Sequence, residues 1–348
     1  MHKFDSHTLE QIKGILSQSS NILITIHYNP DGDAVGSALA LYHYLVKKGH
    51  KVNILIPNDV PQFLNWMPGM QDAIIYFHKS KLADQLIKEA KIIFCLDYNA
   101  FSRVVSFEKQ LTEAEGIKIL IDHHIEPEKQ FDFALSVVKV SSTSELIYDF
   151  ICSLGDRSII DNNIGANLYV GMMTDTGSFS FACNYPHTFE TVADLIRIGI
   201  DTEQIHRLVY DTYSESRMRL LGYCLSEKLV VLKEYCTAYI SLTAEDLKRF
   251  SFQPGDTEGV VNYALSIKDV TMAALFTEKK ECIRISFRSK CDFSVNDFAK
   301  KHFGGGGHRN ASGGDSYISM EETLTKFTNL LPEYKDALVS AAEKSSVI

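Results

Sequence analysis

The chain has 348 residues, of which 45% are hydrophobic, 23% charged and 11% aromatic, a composition that excludes collagen-like, coiled-coil and wholly disordered proteins. That length exceeds one ordinary domain of ~100–200 residues and predicts two. Against 35 basic residues stand 44 acidic ones, a net charge of −9, which argues against a surface coated to grip long duplex DNA but not against a local basic patch.

Met1-His2-Lys3-Phe4-Asp5 lacks the apolar core of a signal peptide, and no apolar run approaches the ~20 residues of a membrane span. A soluble, cytoplasmic protein with no membrane partner is expected. Asn21–His27 reads as a buried strand, Asp33–Lys48 as a helix stopped by Gly49, and Lys51–Pro57 and Ala73–Phe77 as further strands. Lys79–Ala90 has helical spacing, and Lys91–Asp97 and Ile117–Asp122 are again apolar strands. Strands without polar alternation, separated by helices, predict a doubly wound, mainly parallel α/β sheet. Ser144–Leu154, Asn162–Met173, Thr188–Gly199, Thr202–Tyr210 and Glu215–Ser226 all read as helices. After Tyr235 the pattern becomes mixed, with strands at Thr237–Leu242, Thr271–Thr277 and Glu281–Phe287. Helices fall near Ala244–Phe250, Gly255–Ile267 and Val295–Phe303. The division expected is a catalytic domain over 1–190, a helical linker over 191–230, and a smaller mixed α/β domain over 231–348. Seven cysteines form no C-x-x-C pair and are read as reduced, mostly buried thiols.

Three predicted strands end in polar clusters, and in open α/β sheets the ligand crevice lies beyond those ends. His27 is followed by Asp31-Gly32-Asp33, where one glycine lets two carboxylates face one point. Asp33 equally suits the N-cap of the next helix. Asp97 ends a second strand, where it needs a cation, a metal, water or Arg103 as partner. Asp122-His123-His124 ends a third, and Asp175 closes a helix before Gly177. Taken together, four aspartates (Asp31, Asp33, Asp97, Asp175) and two histidines (His27, His123) are candidate metal ligands. Mixed carboxylate and imidazole without thiolate suits Mn²⁺ or Mg²⁺ better than structural zinc. Six groups can hold two ions bridged by one carboxylate, an arrangement suited to splitting phosphate esters.

A second cluster, Gly304 to Gly314, is dense in glycine and contains His308 and Ser312. Its exposed amides, notably at Gly305, Gly306 and Gly307, could cradle an anion, although a lone glycine run is often a solvent loop. Lys279–Arg309 carries a local net charge of +5, and Arg288 is the best-placed fork for a phosphate there.

In these residues the chain resembles the DHH phosphoesterase superfamily, specifically members with the glycine-rich DHH-associated C-terminal domain. His27-x-x-Pro-Asp-Gly-Asp-x-x-Gly-Ser37 is similar to the first family motif and Asp97 to the second. Asp122-His123-His124 matches the namesake third, Thr174-Asp175-Thr176-Gly177 the fourth, and Gly304–His308 with Ser312 the signature of the associated domain. The likeness covers roughly residues 15–335 and points to the nanoRNase type, which degrades very short RNAs and dephosphorylates 3′-phosphoadenosine 5′-phosphate (pAp). It implies two divalent ions, Mn²⁺ ahead of Mg²⁺ or Co²⁺. His27, Asp31 and Asp97 would hold one, and Asp33, Asp97, His123 and Asp175 the other. Asp122 would act behind the ligands, His124 near the scissile phosphate, and Arg103, Arg288, His308 and Ser312 on the substrate. Water activated by the ions would attack phosphorus in line, with the associated domain closing over the site. The implied partners are short single-stranded RNA or DNA, small nucleotides and a second copy in a homodimer. Ile125-Glu126-Pro127 stands where the family often has an Asn, a departure that touches the local substrate loop. Hydrolysis of cyclic di-AMP or pApA, and exopolyphosphatase-like activity, are the competing readings. A non-catalytic nucleotide sensor predicts gaps among the ligands, and none is missing.

Overall fold

The apolar runs of the N-terminal half become a six-stranded parallel sheet in the computed structural model, which describes residues 1–346. The chain divides into two units, Met1 to Thr212 and Tyr213 onward. In the first, α1 (Ser6–Ile15), β1 (Asn21–Thr25), α2 (Gly32–Lys47) and β2 (Lys51–Ile56) are followed by β3 (Ile74–Ile75) and α3 (Tyr76–Glu89). Then come β4 (Ile92–Leu96), α4 (Glu108–Glu113), β5 (Ile117–Asp122) and β6 (Phe133–Ser136). Four helices complete the unit, α5 (Thr143–Ser153), α6 (Asn162–Asp175), α7 (Pro186–Ile198) and α8 (Thr202–Tyr210).

Strand order is β3-β2-β1-β4-β5-β6, with every neighbouring pair parallel. The order reverses between β1 and β4, the topological switch point at which such sheets open a crevice beyond the strand ends. Period-two alternation explains why both faces are covered. Ile22, Ile24 and Phe94 pack with Leu39, Leu146 and Leu168 of α2, α5 and α6. Leu23, Ile93 and Cys95 point the other way, onto Ala83, Ile87 and Leu111 of α3 and α4.

α2 and α6 meet almost backbone to backbone, because glycines line their crossing. A Cβ at Gly36 would lie 2.5 Å from the Asn167 carbonyl oxygen. At Gly171 it would strike Ser144 Oγ and come within 2.7 Å of Asp33 Oδ1. This seam brings the start of α2 and the end of α6 to one place.

The second unit contains α9 (Glu215–Tyr223), β7 (Leu229–Leu232), β8 (Thr237–Leu242), α10 (Ala244–Arg249), α11 (Val260–Leu265) and β9 (Met272–Glu278). It continues with β10 (Ile283–Ser289), α12 (Val295–Phe303), β11 (Gly306–His308), β12 (Ala311–Ser316) and α13 (Met320–Ser346). Its sheet runs β11-β12-β10-β9-β8-β7 and is mixed, with β8 and β9 parallel and the other pairs antiparallel. The glycine run is no free loop. Gly304, at φ +57°, ends α12, and Gly306–His308 pairs with β12 as an edge hairpin. Gly305 leaves no room for a side chain against the Gly313 carbonyl.

All seven cysteines are free thiols, with Cys95, Cys183 and Cys224 buried. Among the described residues no helix is long and apolar enough to cross a membrane.

Gly36→Ala should therefore destabilise the protein by about 2 kcal/mol or more, since the backbone it strikes cannot rotate away. Gly14→Ala, in an exposed turn of α1 with nothing within 4 Å of the new Cβ, should be neutral or stabilise by about 0.5–1 kcal/mol. Thermal denaturation of the two variants side by side checks the contrast.

Candidate metal and phosphate site

The strand ends around the switch point supply the polar side chains. After β1 the chain turns into α2, and Asp31, not Asp33, caps that helix by accepting from the amides of Asp33 and Ala34 at 3.0 and 3.1 Å. Asp33 instead lies in the first turn, 1% exposed. Asp97 follows β4 with φ at +60°, a left-handed conformation that a non-glycine residue holds only when its surroundings enforce it. Asp122 ends β5 and the two histidines follow it, and Asp175 ends α6.

The groups of ligating atoms that result, each with all its atoms within 4.8 Å of one another, include His27, Asp31 and Asp97; Asp33, His123 and Asp175; and Asp97, Asp122 and His124. Asp97 faces both of the first two. Its Oδ2 lies 3.5 Å from His27 Nε2, and its Oδ1 lies 3.4 Å from His123 Nε2. His27 Nε2 is also 3.9 Å from Asp31 Oδ1. His123 Nε2 is 3.5 Å from Asp175 Oδ2 and 3.9 Å from Asp33 Oδ2. Ligands about 2.1 Å from one ion stand roughly 3.0–3.6 Å apart at ordinary coordination angles, a range that the spacings of 3.4 and 3.5 Å meet and the two of 3.9 Å slightly exceed.

The hydrogen bonds of the histidines also suit ligation. His27 Nδ1 lies 2.9 Å from the Tyr28 carbonyl, which can only accept, so in the neutral ring Nε2 carries the lone pair that faces the carboxylates. A lone pair against carboxylate oxygens is repulsive unless a proton or a cation lies between them. His124 donates through Nδ1 to Asp122 Oδ1 at 2.7 Å, and its amide reaches Asp122 Oδ2 at 3.1 Å. Asp122, fully buried, thus fixes the ring.

Protonation reflects the same crowding. Burial raises Asp33 well above the usual carboxylate range, and the charges of Asp97 and Asp175 add to it. Burial likewise lifts Asp175 to about 6, against the opposing pull of His123. Burial would lower His27 and His123, but the carboxylates beside them outweigh it and raise both. Burial would raise Asp97 too, yet the imidazoles of His123 and His27 hold it well below the usual range.

The residues read as substrate contacts fall in both units. Arg103 lies in a short turn after β4 in the first, and among the described residues its buried Nε has no hydrogen-bond partner. In the second, Arg288 is on β10 opposite Ala311, with Nη1 donating to the Phe287 carbonyl at 3.0 Å. Ser312 donates to the His308 carbonyl at 2.8 Å, and both sit on the β11–β12 hairpin with Gly306 and Gly307, just beyond Gly305. Sequence reasoning missed Thr143 and Ser144. Their amides donate to Asp33 Oδ2 and Oδ1 at 2.6 and 2.8 Å, and the Thr143 hydroxyl donates to Asp97 Oδ1 at 2.9 Å. The signal was Ser141-Ser142-Thr143-Ser144, a run of hydroxyls opening a helix.

A model of the DHH family N-terminal domain matches residues 21–172, and one of the DHHA1 domain matches residues 233–335. A Streptococcus mutans protein named probable bifunctional oligoribonuclease and PAP phosphatase NrnA is 28% identical over 313 residues, spanning 89% of this chain and 94% of that protein. The cyclic-di-AMP phosphodiesterase GdpP of Bacillus subtilis is 25% identical over 345 residues, spanning 94% of this chain and 50% of that protein. Among solved structures, an exopolyphosphatase-related protein from Bacteroides fragilis superposes with a TM-score of 0.92 at 43% identity, covering 95% of this chain and 97% of that one.

Asp33, Asp175, His27 and His123 all hold protons more tightly folded than unfolded, so the folded state binds more protons and stability falls as pH rises. For the carboxylates the loss begins near their unfolded value of 3.8, and for Asp175 it completes near 6. For the imidazoles it begins near 6.5 and extends above it. Asp97 acts oppositely, but only below 3.8. The melting temperature of EDTA-treated protein should therefore fall between about pH 4 and 8, and saturating Mn²⁺ or Mg²⁺ should flatten that slope. A pH-independent profile without metal would contradict the crowding.

Proposed function

The chain belongs to the DHH family and carries its companion DHHA1 domain, and on that premise we propose that it is a metal-dependent phosphoesterase that hydrolyses short oligoribonucleotides and pAp. The observation that supports this most is the division of Asp97 between two ligand groups, Oδ2 toward His27 and Oδ1 toward His123. In this reading His27, Asp31 and Asp97 hold one divalent ion, and Asp33, Asp97, His123 and Asp175 hold the second. A donor set of carboxylates and imidazoles without thiolate favours Mn²⁺, with Mg²⁺ or Co²⁺ as substitutes. Such ions supply Lewis-acid charge and a lowered water pKa for in-line attack at phosphorus.

The protein's own groups do the remaining work. Asp33, Asp97, Asp122 and both histidines after it are buried, so few waters compete for the reacting phosphate. His124, its Nδ1–H donated to Asp122, presents Nε2 to the phosphoryl group or leaving oxygen. Arg103, whose buried Nε has no hydrogen-bond partner among the described residues, offers its guanidinium to a non-bridging oxygen. In the second unit Arg288, the backbone at Gly305, Gly306 and Gly307, His308 and Ser312 bind nucleotide. Their basic neighbourhood, net +5 across Lys279–Arg309, suits a few phosphates rather than a long strand.

The names of two relatives, exopolyphosphatase-related and cyclic-di-AMP phosphodiesterase, set the rival substrates for the test. A turnover panel should give the highest kcat/KM on pAp or on di- to pentanucleotide RNA, with long single strands cleaved far more slowly. Faster turnover of polyphosphate or cyclic di-AMP would overturn the substrate assignment. Asp97→Asn should cost about 10³-fold or more in kcat. Asp122→Asn, which loosens only the His124 ring, should cost about 10–100-fold.

A further inference from the structure

The donors at the start of α5 do not serve the two ligand groups equally. Thr143 N–H reaches Asp33 Oδ2, Ser144 N–H reaches Asp33 Oδ1, and the Thr143 hydroxyl reaches Asp97 Oδ1. Two of those three oxygens face His123, Asp33 Oδ2 at 3.9 Å and Asp97 Oδ1 at 3.4 Å, and the third is the other oxygen of the Asp33 carboxylate. None of the three donors touches His27, Asp31 or Asp97 Oδ2. Asp31 draws its own donors from α2 instead. Thus α2 steadies the ligands of one group, and α5 steadies those of the other.

Within α5 the hydroxyl of Thr143 differs in kind from the two amides. The amides are fixed by the backbone and survive any side-chain change. The hydroxyl alone ties Asp97 to α5, and Asp97 is the carboxylate that both groups share. Thr143 is fully buried, so no solvent can replace it without a cavity. A carboxylate held at Oδ1 keeps one lone pair on that oxygen for an ion on the His123 side. The bond also relieves part of the repulsion between Asp97 and Asp33, since donors from one short segment, Thr143 and Ser144, reach both.

We propose that Thr143 is a positioning residue that acts, through Asp97 Oδ1, on the ion site formed with Asp33, His123 and Asp175 and not on the site formed with His27 and Asp31. This rests on the two-ion reading above. Its consequence is that the two sites can be weakened separately, one from each helix start.

The test is a Mn²⁺ titration of EDTA-stripped full-length protein, followed by electron paramagnetic resonance of free Mn²⁺, with no turnover required. Thr143→Val should weaken one class of site by about 10–100-fold and leave the other unchanged. Thr143→Ser, which keeps the hydroxyl, should restore wild-type binding. Asp31→Asn should weaken the opposite class, and the double variant should weaken both. Circular dichroism checks folding, and Thr143→Ala replaces the valine variant if that does not fold. Equal weakening of both classes, no weakening, or failure of serine to rescue overturns the role given to Thr143 while leaving the two-ion reading intact. Wild-type protein that binds no Mn²⁺ overturns the two-ion reading and this proposal together.

Discussion

Four carboxylates and two imidazoles share one small, largely buried volume at the end of a sheet, and the electrostatic strain of that arrangement shapes everything around it. Two like charges 4 Å apart repel by about 4 kcal/mol at an effective dielectric of 20. Hydrophobic packing around Asp33 and Asp97 keeps out the water that would screen them. Relief comes from three sources: raised proton affinities, backbone amides at the starts of α2 and α5, and divalent cations. The first two are built into the chain. Only the third combines relief with chemistry, which is why the same crowding that burdens the folded protein equips it to act on phosphate esters.

Much of this was legible in the sequence because chemistry and topology coincide at strand ends. His27, Asp31 and Asp33 after β1, Asp97 after β4, and Asp122-His123-His124 after β5 could each be placed by an apolar run stopping at a polar cluster. A parallel sheet then guarantees that such clusters share one edge. The pairing order could not be read, since it depends on which hydrophobic faces meet. Thr143 and Ser144 were invisible for a related reason. Their importance lies in amides that any residue possesses, and in one hydroxyl whose acceptor, Asp97, is 46 positions away. The cap of α2 was misjudged by two residues because Asp31 and Asp33 are equally good caps in isolation, and only the approach of α5 decides which is free.

In the second unit the glycine run carried the opposite lesson. Composition alone suggests a loop, yet pairing with β12 turns Gly306–His308 into a sheet edge, where Gly305 is glycine because the Gly313 carbonyl leaves no space beside it. Hydrogen-bond partners far along the chain impose order that no local propensity requires. Similarly, α13 runs from Met320 to Ser346 with Pro332 inside it, although proline normally ends a helix. Packing of Phe327, Leu331 and Leu338 into the core of that unit outweighs the lost backbone bond.

The glycine seam between α2 and α6 has a mechanical consequence. Asp33 and Asp175 hang from helices whose backbones touch at Gly36 and Asn167, so their separation is set by a contact as stiff as a packed interior. Loops that carry ligands can breathe to admit a larger ion, whereas this jaw has almost no elastic range. In the two-ion reading proposed above, Ca²⁺, whose oxygen ligands stand about 0.3–0.5 Å farther out than those of Mg²⁺, would have to strain this seam to be held between Asp33 and Asp175. On that reading, selection by ionic radius would fall in part to the helix packing, well away from the atoms that would bind the metal.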